Sequence, residues 1–214
     1  MAVSDNGMMM TNKEIFSSYY KNNTWQGKES KSGPGSDYDN AQFIIKELPF
    51  IFEKYSIKSM LDIPCGDFNW IKMINLDSIT YHGADIVDDL IEENKQRYKS
   101  QNIKFSVLDI INDKLPKVDL VFVRDCFVHL NNEDIKKSLI NIKNSGSKYL
   151  LSTTFTWNHL PTNHDIKNGD WRRVNLENKP FSLPKAITNI VEGEPLLHRD
   201  KSLGLWFIKD IPDY

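Results

Sequence analysis

Cysteine is nearly absent from this chain: Cys65 and Cys126 are the two among 214 residues. Two thiols cannot build the disulfide framework of a small secreted domain, and both lie beside apolar strand patterns, so a reducing cytoplasm is the expected home. Also missing is any apolar run near the roughly 20 residues that a membrane-spanning helix needs. The start of the chain carries neither the basic segment nor the apolar stretch of a secretion signal. An excess of one charge is lacking as well. The formal net charge is -2, which leaves no general attraction to nucleic-acid phosphates, and neither DNA nor RNA is expected as a partner. Internal repeats and low-complexity tracts do not occur.

What remains is ordinary globular material, 40% hydrophobic and 26% charged, of a length that buries one sizeable core. Residues 1–14 are polar around Met8, Met9 and Met10 and read as a flexible leader. Residues 15–214 read as a single domain: an N-terminal lid and helix over 15–56, a core over 57–155, and a loop with a terminal hairpin over 156–214. Gly, Ser, Lys and Asp crowd residues 23–40 and predict a loop. Phe43, Ile44, Leu48, Ile51 and Phe52 then follow at helical spacing, with Pro49 threatening a kink or a break.

Beyond that point β-prone runs alternate with helical stretches. The runs are 59–64, 81–86, 103–110, 118–125 and 148–155, with further strands at 186–191 and 203–209 that a turn would pair antiparallel. Helical patterns at 69–74, 87–98 and 132–143 separate the early runs. Too few residues lie between Ile110 and Val118 for another helix. The alternation predicts an α/β fold on a mostly parallel sheet with right-handed crossovers.

Chemistry concentrates where these runs end. The first closes in Asp62, followed by the tight Pro64-Cys65-Gly66 turn and a helix start at Asp67. Gly66 permits close backbone approach to a ligand, and a helix N-terminus offers free N–H groups to a carboxylate. With a single glycine, this turn lacks the G-x-G-x-x-G seat for a pyrophosphate. About twenty residues on, Gly83-Ala84-Asp85-Ile86 supplies the acceptor that ribose hydroxyls require. Asp109, flanked by Leu108 and Ile110, is placed to accept from an adenine amino group, with Ile86 and Ile110 covering the ring. The fourth run ends in Arg124-Asp125-Cys126-Phe127-Val128-His129. Asp62, Asp85, Asp109 and Asp125 therefore share the rim where open α/β sheets bind ligands.

Leu61 to Gly66, Ala84-Asp85-Ile86, Leu108-Asp109-Ile110 and the run from Asp119 to Leu130 resemble the successive motifs of class I methyltransferases that bind S-adenosylmethionine (SAM). More narrowly, Trp25 to Ser36, Arg124-Asp125-Cys126 with His129, Gly169-Asp170-Trp171-Arg172 and Lys201 to Trp206 are similar to short methyltransferases of surface-glycan synthesis. Related domains are fused to glycosyltransferases in large algal viruses, which would put the chain in a host cytoplasm. The resemblance implies a Rossmann-like seven-stranded sheet whose terminal hairpin supplies strands six and seven. It further implies SAM as methyl donor, S-adenosylhomocysteine (SAH) as product, and a deoxyhexose hydroxyl such as rhamnose as acceptor, in a glycan or an activated sugar. Cofactor contacts fall on Asp62, Pro64, Cys65, Gly66, Asp85, Ile86, Asp109, Ile110 and Arg124. Pro64 stands where the family carries a second glycine of its first motif, which stiffens the turn.

Methyl transfer to an alcohol needs a base at the rim. His129 is read as that base and Asp125 as its orienting partner or as a substrate ligand. Trp25, His159, Asp170, Trp171 and Arg172 are read as acceptor contacts, since aromatic faces pack on sugar C–H surfaces while charged groups bond hydroxyls. Trp25 with residues 32–36 would form a lid that excludes water. Cys65 and Cys126 read as packing residues. Asp125, Asp165 and Asp170 are of a type that holds a divalent cation, but their spacing matches no ligand motif, so a divalent metal is an open but not the favoured option. Two other readings stay open: a small-molecule O- or N-methyltransferase outside glycan metabolism, and a nucleotide-binding module without catalysis.

Overall fold

A computed structural model of the chain describes residues 10–98, 100–192 and 199–214. Residues 1–9 of the expected leader lie outside the described residues. Within residues 10–14 of the expected leader the first helix begins: α1 (Asn12–Lys21) opens on Thr11, whose hydroxyl accepts the Glu14 N–H while the Glu14 carboxylate accepts from Thr11, a closed capping box. After a turn-rich stretch and a short 3₁₀ turn (Pro34–Ser36), α2 (Tyr38–Lys54) runs straight through Pro49. The helix survives because Pro49 faces solvent while Ala41, Ile44, Leu48, Ile51 and Phe52 bury one stripe on both sides of it. That burial offsets the cost of about 3 kcal/mol that an internal proline carries.

Seven strands follow: β1 (Ser59–Asp62), β2 (Thr80–Asp85), β3 (Ile103–Val107), β4 (Leu120–Val123), β5 (Tyr149–Phe155), β6 (Thr188–Val191) and β7 (Lys201–Phe207). They form one sheet in the order β3-β2-β1-β4-β5-β7-β6. The first five are parallel, whereas β7 runs antiparallel to both β5 and β6. All seven expected strands are present, and the antiparallel end is the terminal hairpin. The early runs were expected to extend further at their C-terminal ends, because the apolar pattern continues into the loops that carry Asp109 and Asp125.

Helices cover both faces, as a central strand such as Leu120–Val123, buried along its whole length, requires. Met60, Leu120, Phe122 and Leu151 pack with α2 and with α3 (Asp88–Arg97). Their neighbours Leu61, Val121, Val123 and Leu150 pack on the other face against Ile135, Leu139 and Ile142 of α4 (Asn132–Asn144). The 69–74 stretch is a correction to the expected helix: it holds a single 3₁₀ turn over Ile71–Met73. Asn69 donates its side chain to the Ser36 carbonyl, and an Asn75 side-chain turn onto the Asp77 N–H ends the segment before a second turn can close.

Candidate functional site

Strand order reverses between β1 and β4, since β2 and β3 lie to one side and β5 to the other, and such a switch point opens a crevice at the strand ends. A cavity of about 450 Å³ occupies it, within the range of small-ligand sites. All nine residues assigned to the cofactor line this cavity: Asp62, Pro64, Cys65, Gly66, Asp85, Ile86, Asp109, Ile110 and Arg124.

The carboxylates differ in what already holds them. Asp62 is 3% exposed and accepts the Tyr81 hydroxyl at 2.6 Å. Burial pushes it up to about 7 against the pull of Tyr81 and Arg124. Asp85 accepts the N–H groups of Gly66 at 3.2 Å and Val87 at 3.1 Å, so it ties the first turn to the end of β2. Burial again dominates and raises it to about 6. Asp109 accepts from the Ile111 N–H and the Asn112 side chain, each at 2.8 Å, which orients it at the end of its loop. Burial also pushes the thiols of Cys65 and Cys126 up, with nearby carboxylates adding to it, so both are packing groups rather than nucleophiles.

Trp25 and residues 32–36, read from sequence as a lid, also line this cavity. The buried Asp37 carboxylate gathers the N–H groups of Lys28, Glu29 and Ser30. Asp67, just beyond the cofactor turn, accepts from the Ser30 hydroxyl at 2.8 Å and the Lys31 N–H at 3.1 Å, while its own N–H donates to Ser32 Oγ. Gly66 sits at φ +55, and a Cβ there would stand 2.5 Å from Ser32 Oγ. Gly35 approaches the opposite wall, where a Cβ would meet Asp125 Oδ2 at 2.8 Å. Gly66→Ala is therefore expected to destabilise the chain by about 1–3 kcal/mol, from backbone strain and a displaced lid. Calorimetry should find its Tm several degrees lower; an unchanged Tm would refute this account of the turn.

The 3₁₀ turn after β4 (Phe127–His129) brings His129 to the cavity wall. Its Nδ1 lies 3.0 Å from the Asp170 backbone carbonyl. A carbonyl only accepts, so Nδ1 carries the proton and Nε2 keeps its lone pair. Burial lowers the His129 pKa, outweighing the upward pull of the Asp170 carbonyl and Asp125, so the ring is neutral at physiological pH. Trp25 packs on it at 5.5 Å between ring centres. Asp125 sits at φ +52, donates its N–H to Thr153 Oγ1, and pairs with Lys201 Nζ at 2.7 Å. Burial opposes its charge, yet Lys201 and Arg124 prevail and hold it at about 2. Of the two roles read for Asp125, orienting partner or substrate ligand, the structure shows no bond of the first kind among its described contacts: the ring Nδ1 meets the Asp170 carbonyl, and Asp125 pairs with Lys201.

No family model matches the sequence, and no curated protein does. Solved structures do match. A SAM-dependent methyltransferase of Leishmania major is 14% identical, with a TM-score of 0.65 over 95% of this chain and 95% of that one. Human N-acetylserotonin methyltransferase in complex with SAM is 14% identical, with a TM-score of 0.63 over 92% of this chain and 59% of that one. This chain thus spans under two thirds of the human protein's length. The N-methyltransferase NodS of Bradyrhizobium japonicum is 13% identical, with a TM-score of 0.60 over 83% of this chain and 99% of that one. The fold is the Rossmann-like methyltransferase fold.

On this methyltransferase fold the expected acceptor residues separate. Trp25 and Trp171 line the cavity; His159, Asp170 and Arg172 are not among its lining residues. His159 is exposed and stacks on Trp157 with ring centres 5.2 Å apart. Asp170 acts through its backbone. Arg172, read as a sugar contact, is 1% exposed, and its guanidinium donates to the carbonyls of Phe127, Leu130 and His164 and to the Asn132 side chain. It braces the turn that carries His129. Arg172→Ala strands those buried carbonyls, and a loss of about 3 kcal/mol or more is expected in denaturant unfolding; a variant as stable as the parent would return Arg172 to the acceptor.

Ser32, Trp70 and Lys201 line the cavity, with Asp67 and Glu192 bonded to its lining, and none of the five was assigned a site role from sequence beyond the reading of residues 32–36 as a lid and of Lys201 to Trp206 as part of the resemblance. The residues present fit SAM: raised, buried carboxylates at Asp62 and Asp85 suit a ligand bearing a cation and hydroxyls, and the Arg124 guanidinium beside them suits its carboxylate.

Proposed function

We propose that the chain is a SAM-dependent O-methyltransferase acting on a sugar hydroxyl, of which rhamnose is the model acceptor. The single observation that carries the reading is His129, its Nδ1 on the Asp170 carbonyl, in the same cavity as Asp62, Gly66 and Asp85. Bound here, SAM supplies an electrophilic methyl group carried on a sulfonium.

The chain's own residues do the rest. Asp62 and Arg124 meet the charged end of the donor, Asp85 takes the ribose hydroxyls, and Asp109 with Ile86 and Ile110 takes the adenine. His129 Nε2 removes the hydroxyl proton, and Asp125 accepts from a neighbouring hydroxyl and offsets the charge of the imidazolium. The lid, through Trp25 and residues 32–36, keeps water from competing for the methyl group. Trp25 and Trp171 supply the aromatic faces on which a sugar ring packs.

A second reading, a small aromatic alcohol as acceptor, is favoured by the apolar part of the wall, where Phe16, Tyr20, Trp25 and Phe155 line the same space. The human structure is named for such a compound, N-acetylserotonin. Transfer of label from SAM to methyl rhamnoside and other hexosides, set beside a panel of phenols, decides between the two.

Cofactor binding has its own signature. Asp62 and Asp85 lie near 7 and 6, and the donor's cation beside Asp62 and its hydroxyls donating to Asp85 lower both. SAM binding at pH 6 to 7 is therefore expected to release protons, and at pH 9 to release none. Calorimetry in two buffers of different ionisation enthalpy measures this, and proton uptake at pH 6.5 would sink the assignment.

A further inference from the structure

We infer that the acceptor is uncharged: the cavity takes a neutral hydroxyl compound and turns away the same compound carrying a phosphate, a nucleoside diphosphate or a carboxylate. The inference rests on the proposed methyl transfer and narrows its substrate class.

Among the described residues, two cations line the cavity, Arg124 and Lys201, and both are engaged before an acceptor arrives, Arg124 by Glu192, by Asp125 and by the donor's own carboxylate, and Lys201 by Asp125 and Glu192. Arg124 Nε lies 2.8 Å from Glu192 Oε2, and its NH1 is 3.9 Å from Asp125 Oδ2. Lys201 Nζ lies 2.7 Å from Asp125 Oδ2 and 3.5 Å from Glu192 Oε2. Two acids and two bases thus close a square, with Arg124 also over the Trp70 ring. Glu192 is 4% exposed, so its charge is held by Arg124 and Lys201 rather than by solvent.

The rest of the wall adds Asp62, Asp85 and Asp109, which leaves the cavity net negative. That sign suits the cationic donor and opposes an anionic acceptor. Among the described residues, the Arg172 guanidinium is spent on backbone carbonyls, and Arg173 faces Asp200. A phosphate or carboxylate entering this space would be desolvated beside carboxylates without a free partner, the costliest arrangement for a buried charge. A hydroxyl meets no such barrier. Both cations contact Asp125 through Oδ2, so Oδ1 is left to accept from it.

The test uses the full chain loaded with SAH for binding, and labelled SAM for turnover. Methyl rhamnoside is compared with rhamnose 1-phosphate and a nucleoside diphosphate rhamnose, and an alkylphenol with the matching hydroxybenzoate. Each neutral compound is expected to exceed its anionic partner by about tenfold or more in affinity and in kcat/KM. Glu192→Gln, which releases a cation from the square, is expected to narrow that gap. Lys201→Met, which removes the cation, is expected to leave an anionic acceptor no better than before. An anionic acceptor bound or methylated as well as its neutral partner by the parent protein would overturn the inference while SAM binding stood. Failure to bind SAH at all would instead bring down the methyltransferase reading itself.

Discussion

His129→Ala is expected to lower kcat roughly a hundred- to ten-thousandfold, the span that a positioned general base contributes, while SAM affinity stays within about threefold of the parent. The separation follows from where His129 sits. Its ring is held from one side by the Asp170 carbonyl and packed by Trp25, whereas Asp62 and Asp85 close β1 and β2 and Asp85 holds the Gly66 turn. The pH profile offers a second readout. Because burial lowers the His129 pKa, the base is already unprotonated at pH 7, and the rate of the parent protein should fall only as pH drops below the ordinary histidine value of about 6.5. His129→Gln should abolish that acid limb along with most of the rate. A variant that keeps the limb, or that loses SAM affinity in step with kcat, would remove His129 from the role of base.

Asp85→Ala is expected to weaken SAM binding by about one to two orders of magnitude, with a smaller effect on kcat at saturating donor. Two losses combine. The ribose acceptor disappears, and the N–H groups of Gly66 and Val87 lose the carboxylate that now satisfies both. Because Gly66 is also where Ser32 presses the lid onto the turn, the loosened turn should raise the dissociation rate of donor and product alike. Asp85→Asn separates the two losses. It keeps an oxygen for one N–H but directs an amide at the other, so intermediate affinity is expected. Isothermal titration of both variants with SAM and SAH measures this, and parent-like affinity in Asp85→Ala would show that the ribose contact lies elsewhere.

How much of this was legible before any coordinates differs from element to element. The strands were visible because a buried parallel strand leaves a dense apolar run, and Leu120 to Val123 has no other plausible fate. Asp62 and Asp85 were visible because each closes such a run, and strand ends on an open sheet converge on one crevice. The 69–74 stretch misled because Trp70, Ile71 and Ile74 have helical spacing while the bonds that stop the helix come from Ser36 and from Asn75. Arg172 misled for a related reason. A guanidinium next to an aromatic residue reads as a ligand contact, and only the fold reveals four protein acceptors around it.

By itself, then, the sequence determined the order of strands and helices, the antiparallel end of the sheet, and the row of carboxylates at the rim. Periodicity and local turn chemistry act over a few residues, and these features need nothing more. The tertiary structure alone decided which partner each charged or polar group finds: the Asp170 carbonyl for His129, Lys201 for Asp125, Glu192 for Arg124, and Asp67 for the lid. Those pairings join residues 36 to 76 positions apart, and a contact over that distance is set by how the sheet and its loops pack rather than by any pattern in the chain between.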